Sequence, residues 1–431
     1  MRNNRTPAAG GCFYTRLLPG LLLTAVIFCI TACGTTGTQS DAGKEAEHGT
    51  AGAVAMPVKD DYQPGPKWDM QERPTYENGP WAQTYALYTE LARRAGEYQN
   101  VKPRREFTLA VHDPAESGPG QIMTAWANAV AVASEGSVRI NVGYSGVFSS
   151  AMSSVDDMKQ GTIDFVWTLP CYFKGYFPLT NVIQNPGLQI ANGVSGSYAM
   201  WELYKSEPEL RSEYEDDGIA LFVCANCTSP LSYKGSAELN SIAEISGNIR
   251  GNNGPAQLFV QDVGANVFSC PIGEVYNDIK NGIINYLITD WNGIDSFALS
   301  DPGVLNYYLD TNIGCSAFAL IANPDIWASI DEDLKGCILT ASGDYMLNFM
   351  DIWNYWEAMG RYNAASNGGS IYAPSEAVAG QLSEVYADVA ERWISAQEDS
   401  DVARRLYEHA GELVEKYNMI YDWKSQIGES L

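Results

Sequence analysis

Positive charge and histidine are both scarce in this chain. Twenty-seven lysines and arginines and 3 histidines stand against 52 aspartates and glutamates, giving a formal net charge of -25. The shortage of cations argues against a nucleic-acid partner, because no Lys/Arg stripe is present to neutralise phosphates. Nucleophile-elbow Gly-x-Ser-x-Gly, zinc-protease His-Glu-x-x-His and phosphate-loop patterns are also missing, which leaves little basis for an enzyme. A paired-carboxylate hydrolase stays open as an alternative, since acids are plentiful. Six cysteines lie beyond Cys33, but no second Cys-x-x-Cys exists to complete a zinc site. Cys224 and Cys227 have redox spacing, yet they end the apolar run Ile219 to Val223. A redox pair normally opens a helix, whose dipole activates the thiol. No metal and no cofactor are expected.

Long apolar runs are missing too, except at the start. Arg2, Arg5 and Arg16 precede an uncharged stretch from Leu17 to Ile30, followed by Thr31, Ala32 and Cys33. A basic start, a short apolar region and small residues at the cut describe a secretory signal peptide. Ile30-Thr31-Ala32-Cys33 resembles the bacterial lipobox, which implies lipidation of Cys33 and a periplasmic or envelope location. Nothing later is long and apolar enough to cross a bilayer. Gly34 to about Asp61 is rich in Gly, Ala, Thr and Ser and reads as a flexible spacer.

The rest of the chain exceeds one ordinary core, so two lobes are expected. The expected divisions are a signal peptide over 1–32, a spacer over 33–65 and a helical extension over 66–105. Lobe I spans 106–228 and lobe II 229–315, and 316–431 supplies a returning strand and shared C-terminal helices. The extension holds a predicted helix from Trp81 to Tyr98. Phe107–Val111 reads as a buried strand, and Ile122, Trp126 and Val130 mark the inner face of a helix over 119–134. Strands at 138–144 and 162–168 flank a helix at 151–160, an alternation that signals a parallel α/β sheet. The same grammar recurs between Ile249 and Thr289. Lys159-Gln160-Gly161-Thr162-Ile163-Asp164-Phe165 and Lys280-Asn281-Gly282-Ile283-Ile284-Asn285-Tyr286 share a helix end, a capping glycine and a strand start. After a strand at 316–322 the chain reads as helical over 324–365, 375–397 and 400–417.

Between Lys234 and Lys280 the sole basic residue is Arg250. It sits where a short apolar run meets Gly251-Asn252-Asn253-Gly254-Pro255, ahead of a predicted helix. A guanidinium matches a carboxylate bidentately, and a helix start adds backbone donors. Two readings are open: Arg250 holds a ligand carboxylate, or it forms a structural ion pair. In α/β sheets ligands sit beyond the carboxyl ends of strands. That rule adds His112, Tyr144 to Phe148, Trp167 to Tyr172, and Thr289 to Asn292 as candidate positions. Asn253 either shares the carboxylate with Arg250 or caps the helix. Trp167 and Trp291 end matching strands, where they sandwich an apolar ligand or pack the lobe interface. Asp290 suits a ligand hydroxyl or amine, or an ion pair with Arg250.

Several short stretches, in order, resemble the DctP-type substrate-binding proteins of TRAP transporters. They are Lys159 to Phe165, Gly175-Tyr176-Phe177-Pro178-Leu179, Pro186, Gly247-Asn248-Ile249-Arg250, Gly264-Ala265-Asn266-Val267, Glu274-Val275-Tyr276 and Asn323-Pro324-Asp325-Ile326-Trp327. The resemblance implies an α/β, two-lobe periplasmic-binding-protein-like fold with long C-terminal helices bracing both lobes. It also implies a small organic acid held by Arg250 and delivery to a TRAP membrane transporter. An extracytoplasmic receptor using the same cleft is the alternative. The site residues expected are Arg250, Asn253, Trp167, Thr168, Tyr172, His112, Thr289, Asp290 and Trp291. Two departures from the family pattern stand out. Asn285 replaces a common Asp, and Trp167-Thr168-Leu169-Pro170 replaces a second polar contact, which argues against short dicarboxylates.

Overall fold

A computed structural model describes residues 54–59, 67–173, 175–215, 217–252 and 254–422. The expected signal peptide and Cys33 lie outside the described residues. In chain order the first half contains α1 (Ala82–Glu97), β1 (Arg105–Val111), α2 (Gly118–Ala133), β2 (Val138–Gly143), α3 (Ser154–Lys159), β3 (Phe165–Thr168), α4 (Gly193–Ser206), α5 (Pro208–Glu215) and β4 (Ile219–Ala225). A second run follows with β5 (Leu231–Tyr233), β6 (Asn248–Arg250), α6 (Pro255–Asp262), β7 (Asn266–Phe268), α7 (Val275–Lys280), β8 (Tyr286–Ile288), α8 (Trp291–Ser296) and β9 (Tyr307–Leu309). The chain then returns through β10 (Ala317–Ala322), α9 (Pro324–Ala328), α10 (Glu332–Thr340), α11 (Asp351–Ser366), β11 (Ser370–Tyr372), α12 (Glu376–Ser395) and α13 (Ser400–Ile420).

Two sheets form, one per lobe, in the orders β2-β1-β3-β10-β4 and β11-β9-β5-β8-β6-β7. The parallel pairs β1–β2, β1–β3, β6–β7 and β6–β8 are the α/β units that the alternation predicts. β10 runs antiparallel to both β3 and β4 and is buried along its whole length. Its unbroken apolar sequence reflects that double-sided burial.

The repeated motif has one structural purpose in both lobes. Gly161 and Gly282 end α3 and α7 with φ of 75° and 72°, a left-handed value that only glycine adopts freely. Three residues on, Asp164 Oδ2 accepts from the Thr108 amide at 2.7 Å, and Asn285 Oδ1 accepts from the Asn248 amide at 2.8 Å. Each side chain ties a new strand to the start of its parallel neighbour. An amide oxygen can accept that bond as well as a carboxylate can, so Asn285 keeps the turn despite the altered residue.

Helix α2 starts at Ser117, whose hydroxyl accepts from the Gly120 amide at 3.2 Å, a capping bond worth about 1 kcal/mol. Its inner residues Ile122, Trp126 and Val130 are fully buried, each contributing roughly 1.5–3 kcal/mol of burial. Helix α12 packs on α6 beside the second sheet, and α13 packs on α4 beside the first. Helix α11 touches α8, α2 and α4, so it braces both lobes.

Several expectations are corrected. The helical stretch expected over 324–365 is broken into α9, α10, a 3-10 segment over Gly343–Phe349, and α11. Residues 54–59, within the expected spacer, lie against the body. The Tyr345 hydroxyl donates to the Pro57 carbonyl at 2.7 Å, and Lys59 pairs with Asp351 at 2.8 Å. Val54 and Met56 pack on the core, which a low-complexity average hides. The extension helix α1 packs on α2 and α11. His409 of α13 places Nδ1 2.6 Å from Glu207 Oε1.

The two segments that cross between sheets run side by side. The Asn226 amide donates to the Ser316 carbonyl at 3.0 Å, and the Ile313 amide donates to the Ser229 carbonyl at 2.9 Å. Beneath them Arg361 of α11 bonds Glu357 at 2.9 Å and Asp310 at 2.7 Å. The Thr228 hydroxyl donates to the same Glu357 at 2.8 Å. This buried cluster fastens α11 to both crossing segments.

Candidate functional site

The carboxyl ends of β1, β3, β6 and β8 converge on one cavity between the lobes. His112, Asp113, Leu169 and Tyr172 come from the first lobe, and Arg250, Asn252, Thr289 and Asp290 from the second. Phe318, at the start of β10, joins them because that strand runs opposite to its neighbours. Ile272, Phe297 and Asn292 complete the wall. The cavity volume is about 20 Å³, enough for one water molecule and too small for an organic acid. Two wider surface grooves, about 510 and 570 Å³, lie on the helical face and are lined by no lysine or arginine.

Arg250 is the last residue of β6 and is 2% exposed. Among the described residues its side-chain hydrogen bonds are all long. Nε and Nη2 donate to the Cys270 carbonyl at 3.4 Å, and Nη2 donates to the Tyr172 hydroxyl at 3.4 Å. No ion pair with a described carboxylate forms. A guanidinium carries five donors and costs several kcal/mol to bury without a counter-charge.

Of the two acids nearby, one is engaged elsewhere. Asp290 does not pair with Arg250. It caps α8, with Oδ1 accepting from the Gly293 amide at 2.9 Å and from Cys227 Sγ at 3.5 Å. Its Oδ2 accepts from Asn226 Nδ2 at 3.0 Å. Burial pushes its carboxyl above the ordinary range, the Gly293 amide opposes this, and the charge of Asp113 adds to it. Burial also raises Asp113, with His112 opposing. Burial likewise raises the Tyr172 phenol against the pull of the Arg250 charge. His112 Nε2 lies 3.2 Å from Asp113 Oδ2. The contact is out of line for a hydrogen bond, and that buried oxygen has no hydrogen-bond partner.

Of the residues expected from the sequence, Arg250, Tyr172, His112, Thr289 and Asp290 meet at the cavity. Asn253 lies outside the described residues. Thr168 is fully buried and accepts from the Ser154 hydroxyl at 3.3 Å, away from the cavity. The tryptophan sandwich does not form. Trp167 is fully buried and stacks behind Phe318 at 5.3 Å, while Trp291 lies under the Arg361 guanidinium at 4.7 Å. Trp167 lies inside β3, where alternation turns it into the core, and Trp291 opens α8 with its side chain fully buried. Asn252 and Asn292 fall in the strand-end stretches read from the sequence without being singled out. Asp113 was missed although it follows His112 directly. Phe318, Phe297 and Ile272 carry no local signal.

The neighbouring cysteines are inert. Burial raises the thiols of Cys224 and Cys227 well above their usual range, the reverse of redox activation. Among the described residues no group of three or more His, Cys, Asp or Glu side chains is placed to hold a metal ion. No helix of the described residues is long and apolar enough to cross a membrane.

Two α/β lobes joined by paired crossing segments, with a cavity at the seam, have the architecture of a two-lobed solute-binding protein. The chain belongs to the bacterial extracellular solute-binding proteins of family 7, the DctP family, whose pattern matches residues 111–396. Among solved structures it is similar to a marine metagenome TRAP solute-binding protein specific for aromatic acids, in complex with 3-hydroxybenzoate. That match has 19% identity and a TM-score of 0.67, covering 74% of this chain and 100% of that one. A TRAP solute-binding protein of Rhodoferax ferrireducens with copurified benzoate matches at 20% identity and a TM-score of 0.66, covering 73% and 99%. The outer membrane transporter protein TsaT of Comamonas testosteroni is 20% identical over 311 residues, 70% of this chain and 87% of that protein. At these identities the solved structures establish the fold.

Proposed function

We propose that this protein captures an aromatic carboxylic acid outside the cytoplasm and delivers it to a TRAP-type membrane transporter. The observation that carries this reading is Arg250, buried with three 3.4 Å contacts and without a described carboxylate beside it. The ligand carboxylate docks on this guanidinium. Leu169, Ile272, Phe297 and Phe318 supply apolar walls for a ring, and the benzoate and 3-hydroxybenzoate held by the two structural relatives fit the same chemistry. The closed seam has room for about 20 Å³, so the lobes separate to admit ligand, bending at the two crossing segments. The sequence Ile30-Thr31-Ala32-Cys33 supports export and a lipid tether on Cys33. The residues proposed to bind are Arg250, Tyr172, His112 and Thr289; Asp290, satisfied within the fold, shapes the wall.

Calorimetry tests the reading directly. Arg250→Ala is expected to cost about 2–5 kcal/mol of affinity for benzoate, roughly thirty-fold to several-thousand-fold. Unchanged affinity in that variant rejects Arg250 as the carboxylate clamp. Mass spectrometry of small molecules released on denaturing the purified protein identifies the natural acid. Copurification with a TRAP membrane subunit supports delivery, whereas copurification with a receptor kinase assigns the same cleft to sensing.

A further inference from the structure

We propose that Asp113 selects aromatic acids that carry a hydroxyl group on the ring, by accepting the hydroxyl proton at its unpartnered Oδ2. This deepens the reading above and rests on it. Three observations converge. Asp113 is 4% exposed and lines the same cavity as Arg250. Its Oδ2 has no hydrogen-bond donor, although His112 Nε2 lies 3.2 Å away. The second acid in the cavity, Asp290, is already satisfied at both oxygens by Gly293, Cys227 and Asn226.

A buried acceptor left without a donor carries a desolvation cost that a correctly placed ligand removes. The cavity therefore offers one unneutralised cation, one unsatisfied acceptor and apolar surface beside them. The complementary molecule has a carboxylate, an aromatic body and a neutral donor. A second carboxylate in the donor position faces both Asp113 and Asp290 and is repelled. A hydroxyl is favoured over an ammonium because the His112 imidazole already stands beside the acceptor oxygen. Burial raises the Asp113 carboxyl, as expected of an acid group that lacks donors.

The test is a calorimetric matrix on the full-length protein. The ligands are benzoate, 3- and 4-hydroxybenzoate, the matching methoxybenzoates and 3-(aminomethyl)benzoate, whose amine is an ammonium at neutral pH. The proteins are wild type and Asp113→Leu. In wild type, one hydroxybenzoate is expected to bind about ten- to a hundred-fold more tightly than benzoate, and its methoxy counterpart is expected to lose that advantage. In Asp113→Leu the hydroxyl no longer discriminates, while benzoate still binds. The wild-type comparison stands alone if the variant does not fold. Equal wild-type affinities for benzoate and both hydroxybenzoates overturn the Asp113 assignment but leave the aromatic-acid reading intact. A preference for the hydroxyl that survives in Asp113→Leu, or a stronger preference for the aminomethylbenzoate, also overturns it. If no aromatic carboxylate binds wild type, the underlying reading falls along with it.

Discussion

The protein buries two arginines at the junction of its lobes, and their surroundings differ sharply. Arg361 is 7% exposed and has two carboxylate partners, Glu357 at 2.9 Å and Asp310 at 2.7 Å, with the Trp291 ring 4.7 Å away. Arg250 is 2% exposed and reaches a carbonyl and a phenol at 3.4 Å. Burial is alike, but neutralisation is not. A buried cation with fixed counter-charges holds structure in place. One that meets only weak acceptors carries an uncompensated burial cost, which the proposed ligand carboxylate would remove. The tolerance for such a site depends on the rest of the lobe, where fully buried Ile249, Leu287 and Phe259 supply stability elsewhere.

The largest effect expected from breaking this contrast is on the satisfied arginine. Arg361→Met strands Glu357 and should destabilise the protein by about 3–5 kcal/mol, measured by urea unfolding. A loss below 1 kcal/mol would mean that the cluster does not fasten the crossing segments.

The same variant sharpens the comparison through pH. Burial raises the Glu357 carboxyl above its ordinary value of 4.5, and the Arg361 charge opposes that rise. A group with a raised folded pKa contributes stability that is complete below its unfolded pKa and is lost as pH climbs through the folded one. Without Arg361 the rise is larger, so the Arg361→Met deficit should be greater at pH 8 than at pH 5. Equal urea midpoint differences at the two pH values would contradict this.

Trp291 gives a smaller readout. Because it packs under Arg361 and not at the cavity, Trp291→Phe should lower stability by about 1–3 kcal/mol. Benzoate affinity should stay within about threefold, since the seam wall is untouched. A tenfold loss would return the tryptophan to the ligand. The smallest stability change belongs to Arg250→Ala, expected within about 1 kcal/mol of wild type in either direction. Its long contacts contribute little, and removing an unneutralised buried charge offsets their loss. A large thermal destabilisation would show that Arg250 is a structural residue.

Much of the first sheet was legible because its elements are long and periodic. Ile122, Trp126 and Val130 marked α2, and the twin glycines Gly161 and Gly282 marked both strand starts. Helix α4 was not legible. The sequence gives no helical period over 193–206, and its glycines are small for a packing reason: a Cβ on Gly193 meets Trp353 Cβ at 2.4 Å. The three-residue strands β5, β9 and β11 are too short for any period to show. At the site, Arg250 was legible as a lone cation before a glycine turn, and His112 as a strand end. Trp167 and Trp291 shared that strand-end position, but the sequence did not reveal which way each side chain turns.

The sequence by itself determined the chemistry available: a net charge of -25 with one arginine between Lys234 and Lys280, set in a repeated strand–helix grammar. Those properties are local, fixed by residue type and spacing over a turn or two. The tertiary structure decided which groups neutralise one another. Arg361 finds Glu357 four residues away and Asp310 51 residues away, whereas Arg250 meets Cys270 and Tyr172, the latter 78 residues away. Charge pairing depends on distances of a few ångströms between chain segments far apart in sequence, and packing alone sets those distances.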